Sequence, residues 1–328
     1  MTLEEFLEEW NNSSDKLLVH TSGSTGRPKP LWVEKRRMAA SARITCNFLG
    51  LKQGDTALLC MPLDYIAGKM MVVRALTCGL QLISLQPSGH PLSDVSLNAS
   101  SVPLNTSFTF AAMVPLQVYN SLQVPEERAR LMRVKHLIIG GGAIDESLAA
   151  ELRNFPNAVW STYGMTETLS HIALRRLNGA DASEWYTPFE TVKVWLSDDG
   201  CLVIDAPEVC SELLVTNDRA ELRNGQFRII GRKDNVICSG GLKIQIEEVE
   251  KRLKPVLTAP FLITKRKDEK FGEAVVLLTE GSEQEVVQQV TKANMPKHWL
   301  PRFYVHVDRL PLTETGKPAR KEAERLAV

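Results

Sequence analysis

The ten residues Thr21-Ser22-Gly23-Ser24-Thr25-Gly26-Arg27-Pro28-Lys29-Pro30 follow an apolar run, Leu17-Leu18-Val19. Two glycines let backbone N–H groups turn toward an anion, four hydroxyls add donors, and Arg27 and Lys29 add positive charge. That is the chemistry of a loop that grips a polyphosphate. The pattern G-x-x-x-x-G-K-[ST] is absent, and Pro28 is unsuited to a helix that cradles phosphate on its first turn. The stretch therefore reads as a loop between two strands, with an ordinary Ser/Gly turn as the competing reading.

Three further stretches carry chemistry. His136-Leu137-Ile138-Ile139 runs into Gly140-Gly141-Gly142-Ala143, where missing side chains let a flat group approach the backbone. A plain strand-to-helix turn explains the same glycines. In Thr162-Tyr163-Gly164-Met165-Thr166-Glu167-Thr168 a hydroxyl stands beside a carboxylate: Thr166 can donate to phosphate and Glu167 can hold Mg²⁺, a hard ion that prefers oxygen. Capping of a following helix is the alternative. Arg74 lies in the otherwise apolar Met70–Leu76. A buried arginine is costly unless paired, so it faces either a structural carboxylate or a second carboxylate on a substrate, held bidentately. His171 is a further pocket candidate, although a lone histidine more often serves structure.

The elements that must position these residues alternate. Leu3, Phe6, Leu7 and Trp10 mark an amphipathic helix. Strands are expected at 17–19, 31–33, 57–60, 82–85, 108–110, 136–139 and 158–160, with helices at 35–49, ended by Gly50, and 68–78, ended by Gly79. Strands alternating with helices predict a mostly parallel sheet with helices on both faces and ligands at the carboxyl ends of the strands. From about Thr191, short strands joined by Asp198-Asp199-Gly200 and Asn224-Gly225 predict a small β subdomain. Beyond Gly231-Arg232-Lys233-Asp234 the pattern is a compact α+β module. The fold class is thus α/β, with a first domain at 1–231 and a second at 232–328.

Composition narrows the field. The chain has 328 residues, 44% hydrophobic and 24% charged, with no net charge, so nothing argues for a nucleic-acid groove. Met1–Trp10 carries four glutamates and no basic residue, unlike a signal peptide, and no apolar run is long enough to span a membrane. The six cysteines show no C-x-x-C, so zinc and a disulfide frame are not expected. A reduced, cytoplasmic protein is the default expectation.

In order along the chain, these stretches resemble the adenylate-forming enzymes: acyl-CoA synthetases, luciferases and peptide-synthetase adenylation domains. Thr21–Lys29 matches their phosphate loop, including Thr21, Ser22, Gly23, Ser24, Thr25, Gly26 and Lys29. Gly140, Gly141, Gly142 and Ala143 match the adenine-binding turn, and Tyr163, Gly164, Met165, Thr166 and Glu167 match the aromatic-Gly-x-Thr-Glu motif. Asp218, after Asn217, stands at the ribose-binding aspartate, and Arg232 to Asp234 at the hinge motif. Ser239, Gly240, Gly241 and Lys243 match the loop that lines the pantetheine tunnel, and Lys317 the C-terminal catalytic lysine.

The resemblance implies ATP, Mg²⁺ and CoA, two half-reactions, and a mobile C-terminal domain turning about Asp234. Pro62–Gly68 with Arg74, and Gly164–His171, look most like the o-succinylbenzoate–CoA ligases of menaquinone biosynthesis. This implies Arg74 and His171 on the acid side, Lys317, Thr166 and Glu167 at the reacting phosphate, and Glu167 as the metal ligand. Departures are Asp64-Tyr65 in place of an aromatic–His pair, and Ala67 in place of a serine. Only about twenty residues precede the phosphate loop in this sequence, and the resemblance leads one to expect the family's N-terminal subdomain to be reduced or missing. An aryl or medium-chain acyl-CoA ligase and a non-catalytic nucleotide-binding protein stay open as alternatives, as does the oligomeric state, a homodimer included.

Overall fold

The computed structural model describes residues 1–20, 30–93, 107–142, 144, 146–313 and 317–327. The candidate phosphate loop at 21–29, Ala143, and the 314–316 part of the lysine motif lie outside them.

Helix α1 (Leu3–Asn11) starts at a capping box, in which Thr2 and Glu5 each accept the other's backbone N–H. Strands β1 (Lys16–His20) and β2 (Pro30–Glu34) pair antiparallel and bracket 21–29, as a loop between two strands requires. Helix α2 (Lys35–Leu49) ends at Gly50, whose left-handed φ of 66° suits glycine.

The main sheet runs β4-β3-β5-β6-β7-β8-β9. It comprises β3 (Thr56–Leu59), β4 (Gln81–Ser84), β5 (Phe110–Met113), β6 (His136–Ile139), β7 (Ala158–Gly164), β8 (His171–Arg176) and β9 (Thr187–Pro188). Its first five strands are parallel and the last two antiparallel. Alternate side chains face opposite layers, as the pleat demands. Ala57, Leu59, Phe110, Ala112 and Ile138 pack with α2 and α3 (Ile66–Cys78), while Leu58, Cys60, Ala111, Met113, Leu137 and Ile139 pack with α4 (Pro115–Gln123), α5 (Pro125–Met132) and α6 (Glu146–Leu152). Helices on both faces were expected, and they are found.

Two details differ from the sequence reading. The strand expected at 108–110 begins at Phe110, because the Thr56 hydroxyl takes the Thr109 N–H and donates to the Ser107 carbonyl. After Gly164 there is no helix: a turn with Leu169 at φ 66° sends the chain back as β8. The first four residues of β8 are all buried, so it carries no alternating pattern.

The second sheet is β10 (Lys193–Leu196), β11 (Cys201–Asp205), β12 (Leu214–Arg223) and β13 (Gln226–Arg232), in that order. The third holds β14 (Val236–Ser239), β15 (Leu242–Gln245), β16 (Phe261–Asp268), β17 (Gly272–Thr279) and β18 (Phe303–His306). Helices α7 (Ile246–Leu253) and α8 (Glu283–Val290) cover one of its faces, and α9 (Arg320–Leu326) the other. Strand β16 went unread because its second half, Lys265-Arg266-Lys267-Asp268, is charged, as suits a sheet edge.

Candidate active site

The carboxyl ends of β6 and β7 adjoin, with Ile139 opposite Ser161. A Cβ on Gly140 would lie 2.4 Å from the Thr162 hydroxyl oxygen, and one on Gly164 would lie 2.2 Å from the Ser170 carbonyl. Glycine at these two points is a packing requirement. It brings the Gly140–Gly142 turn against the strand that carries Tyr163.

Tyr163 packs edge-on to Phe227, at 5.0 Å between ring centroids, and donates to Asp218 Oδ2 at 2.8 Å. Burial, then the Asp218 charge, push its phenol well above the usual range. Asp218 on β12 faces Arg232 on β13 across the ladder, and Arg232 Nη1 reaches Asp218 Oδ1 at 3.0 Å. The other end of that guanidinium contacts Asp234 Oδ2 at 3.2 Å, an oxygen that also accepts from the Asn217 amide. Asp234 sits in the short turn Lys233–Asn235 between β13 and β14.

Lys317 is brought to the same place. Its backbone is pinned by Thr313, whose N–H donates to the Lys317 carbonyl at 2.7 Å and whose hydroxyl accepts the Lys317 N–H at 3.1 Å. Burial, then the neighbouring Arg232 charge, lower its pKa. Among the described residues Lys317 has no carboxylate within ion-pair distance, whereas its neighbour Arg232 contacts both Asp218 and Asp234. A lysine without a carboxylate of its own at this place suits an anionic ligand.

Thr166 is buried and Glu167 exposed, side by side in the turn after β7. Among the described residues no cluster of three or more His, Cys, Asp or Glu side chains could hold a metal alone. Glu167 therefore fits Mg²⁺ only as one carboxylate among ligand phosphates and water, which is how that ion is commonly held. The turn itself is tied by Thr168, whose hydroxyl accepts from the Met165 N–H at 3.0 Å and lies 2.7 Å from the Ser170 carbonyl.

The Ser239–Lys243 stretch is a tight hairpin joining β14 to β15, with φ of 58° at Gly240 and 81° at Gly241. Its tip rests on Phe271, whose carbonyl accepts the Gly240 N–H at 2.8 Å. Among the described residues no hydrogen bond or ion pair joins this turn to Asp218, Arg232 or Lys317. The structure thus gathers Lys317 with the Asp218 cluster and holds the glycine hairpin apart from it. Gln245 bridges the two parts: it accepts from Arg219 at 3.4 Å and donates to the Arg232 carbonyl at 2.8 Å.

The second gathering place is inside the first domain. Arg74 on α3 is 2% exposed. Among the described residues it has no carboxylate partner; Nη2 donates to Ser170 Oγ at 2.7 Å, Nη1 has only the Met71 sulfur at 3.9 Å, and Nε has no hydrogen-bond partner. Phe110 lies beneath, with its ring centroid 5.9 Å from the guanidinium carbon. Burial lowers the Arg74 pKa to about 10, so it stays charged at neutral pH. Ser170 Oγ also contacts His171 Nδ1 at 3.2 Å, and His171 Nε2 contacts Thr45 Oγ1 at 3.1 Å. Burial, then Arg74, hold the His171 pKa well below its usual value, leaving the ring neutral.

The structural-carboxylate reading of Arg74 has no support among the described residues. Ser170 and Thr45 were not singled out from sequence. Ser170 could have been, as the neighbour of His171; Thr45, inside a plain helix 126 residues away, gave no signal.

A family model described as "AMP-binding enzyme" matches residues 7–215. A protein of Dyadobacter fermentans, described as an acyl-CoA synthetase (AMP-forming)/AMP-acid ligase II-like protein, has a crystal structure similar to this chain at 31% identity and a TM-score of 0.65, covering 97% of this chain and 91% of that one. The 2-succinylbenzoate–CoA ligase of Salmonella typhimurium is 28% identical over 305 residues, covering 85% of this chain; the chain spans 63% of that relative's length. The o-succinylbenzoate coenzyme A synthetase of Bacillus subtilis, solved with ATP and magnesium ion, shares the fold at 23% identity and a TM-score of 0.75, over 93% of this chain and 69% of that one.

Proposed function

The chain belongs to the AMP-binding enzymes, and on that premise we propose that it is an ATP-dependent acid–thiol ligase that adenylates o-succinylbenzoate and passes the acyl group to CoA, a step of menaquinone biosynthesis. The observation that carries the choice of acid is Arg74: a fully buried cation with no carboxylate among the described residues and an unpaired Nε. A buried charge without a partner is strongly destabilising, so a ligand that supplies the missing anion is favoured. o-Succinylbenzoate has two carboxylates. One is activated; the other, on the ring, would meet the unpaired edge of Arg74.

In the first half-reaction a succinyl carboxylate oxygen attacks the α-phosphorus of ATP, an O–P bond forms, and pyrophosphate leaves. Charge builds on the phosphoryl oxygens, so cations placed in advance lower the barrier. Lys317 is assigned that role, Asp218 and Arg232 the ribose hydroxyls, and the 21–29 loop with Thr166 the phosphates. Glu167 would hold Mg²⁺, which supplies charge neutralisation when bound. In the second half-reaction the CoA thiolate attacks the acyl carbon and AMP leaves. For this the 232–328 domain is expected to turn about Asp234, withdrawing Lys317 and bringing the Gly240–Gly241 hairpin to the site, so one site runs two chemistries by exchanging its lid. The Asp218, Arg232 and Lys317 cluster supports catalysis over a nucleotide-binding protein that kept only the fold.

Incubating the protein with ATP, CoA and a panel of acids, with products read by mass spectrometry, tests the reading. o-Succinylbenzoyl-CoA with AMP is the expected product, and 4-oxo-4-phenylbutanoate, which lacks the ring carboxylate, should be poor. Equal turnover of both would replace the proposal with an aryl or medium-chain acyl-CoA ligase.

A further inference from the structure

Arg74 does not stand alone. Its Ser170 contact is the first link in a line of polar groups, buried except for the half-buried Ser170, crossing from α3 past the start of β8 to α2: Arg74 Nη2 to Ser170 Oγ at 2.7 Å, Ser170 Oγ to His171 Nδ1 at 3.2 Å, His171 Nε2 to Thr45 Oγ1 at 3.1 Å, and Thr45 Oγ1 to the Ser41 carbonyl at 3.1 Å. Thr45 is fully buried and His171 and Arg74 nearly so, so water is not a ready substitute partner.

The direction of every hydrogen bond follows from the last link. The Ser41 carbonyl can only accept, so the Thr45 hydroxyl donates to it. Thr45 Oγ1 is then an acceptor, and His171 presents Nε2–H to it. The neutral ring has one proton, so Nδ1 is bare and accepts from the Ser170 hydroxyl. With its hydrogen spent on His171, Ser170 turns its oxygen lone pairs to Arg74. No hydroxyl hydrogen in the line is left over. The reverse polarity, with Thr45 donating to the ring, puts the ring proton on Nδ1. It leaves the Ser170 hydrogen with no acceptor beside a cation.

We infer that Thr45 is a positioning residue for acid selection: by fixing the Nε2–H tautomer of His171 it orients Ser170 as an acceptor and so holds the Arg74 guanidinium where a second substrate carboxylate can meet its free edge. The inference rests on the proposed acid, but its first link can be read without substrate.

The test uses the full chain and the variants Thr45→Val and Thr45→Ser. In protein with ¹⁵N-labelled histidine, long-range ¹H–¹⁵N spectra report the tautomer of each ring, and His171→Asn assigns the signal of interest. The wild type is expected to show protonated Nε2. Thr45→Val removes the acceptor, and the ring proton should move to Nδ1; Thr45→Ser should restore Nε2–H. In kinetics Thr45→Val should raise KM for o-succinylbenzoate about tenfold, the scale of one lost hydrogen bond of about 1.4 kcal/mol. kcat, the KM for ATP and kcat/KM for 4-oxo-4-phenylbutanoate should change less than about twofold on the same scale. Thr45→Ser should recover the loss.

An unchanged tautomer in Thr45→Val overturns the inference, as does an equal loss on both acids, with or without a fallen melting temperature. If the wild type does not turn over o-succinylbenzoate at all, the proposed acid fails. The tautomer measurement then still decides whether Thr45 sets the line.

Discussion

The two places where cations gather differ in what surrounds them. Around Asp218 the carboxylate is already bracketed by Tyr163 and Arg232, the groups are only partly buried, and Lys317 adds a charge from a separate sheet-and-helix unit. Around Arg74 the side chains are buried except for the half-buried Ser170, every partner is neutral, and one edge of the guanidinium is unpaired. A half-exposed cluster can trade partners with water, so its contacts say little about what binds. A buried cation without a counterion states the charge of its missing partner. On the proposed function, the end assigned to the nucleotide is built to be rearranged, and the end assigned to the acid to be fixed.

If that contrast holds, the largest effect belongs to Lys317. Lys317→Ala should lower acyl-adenylate formation roughly a hundred- to thousand-fold, the loss typical of one group stabilising transition-state charge. Conversion of supplied acyl-adenylate to acyl-CoA should stay within a few-fold on that same scale, because the lysine is expected to have left. Single-turnover pyrophosphate release and thioester formation, measured apart, check this. Equal loss in both would remove the lid exchange. The lysine's lowered pKa adds a signature: adenylation should lose rate with rising pH earlier than an ordinary exposed lysine would dictate, because the charged form is lost sooner.

At the acid end Arg74→Ala should cost about a hundred-fold in kcat/KM for o-succinylbenzoate, the low end of the 3–5 kcal/mol typical of breaking one side of a buried charge pair. The KM for ATP should hardly move. An acid lacking the ring carboxylate should lose little more than it had already lost in the wild type. Its melting temperature should change little, because removal of a buried charge with no carboxylate among the described residues offsets the cavity that alanine leaves. A fall in melting temperature with equal impairment of both acids would make Arg74 a structural group.

The same burial predicts a stability effect through His171. Its folded-state pKa lies well below 6.5 because burial, and then the neighbouring Arg74 charge, disfavour a protonated ring. Below about pH 6.5 the unfolded chain takes up a proton that the folded chain refuses, so stability falls with falling pH down to the folded-state pKa. The slope is at most about 1.4 kcal/mol per pH unit. His171→Asn should flatten that limb in denaturant titrations between pH 6.5 and 5. An unchanged slope would mean the ring is already charged.

How much of this was legible in the chain depends on distance. The helix read at 35–49 and its glycine cap are found there, because the pattern and its stop signal are local. Arg74 announced itself as a charge in an apolar helix. Its neighbours Thr45 and Ser170 did not, because β8 brings them together only after an antiparallel turn that the sequence did not reveal, tied by Thr168 and by the close approach at Gly164. Asp218 and Arg232 came from motif resemblance. Their direct pairing was not legible: counted from the readable Asn224-Gly225 turn, Asp218 would face Gly231, and a bulge between Arg219 and Ala220 shifts the β12–β13 register by one residue so that it faces Arg232.

The smallest effect separates the two regions most finely. Tyr163→Phe removes the hydroxyl that donates to Asp218 and nothing else. In a fixed, dry site the loss would strand a buried acceptor, at about 1–3 kcal/mol. Asp218 is not stranded: Arg232 still holds its other oxygen at 3.0 Å, and its side chain is 17% exposed, so water can take the vacated place. The ring stays packed on Phe227 and Tyr186. The expected change is therefore a few-fold rise in the Kd for ATP, about 0.5–1.5 kcal/mol, with stability hardly altered. Isothermal titration with ATP beside a thermal melt reads both. A loss near a hundred-fold would mean that the nucleotide end is as rigid as the acid end, and that Tyr163 fixes the Asp218 carboxylate for the ribose instead of merely lying beside it.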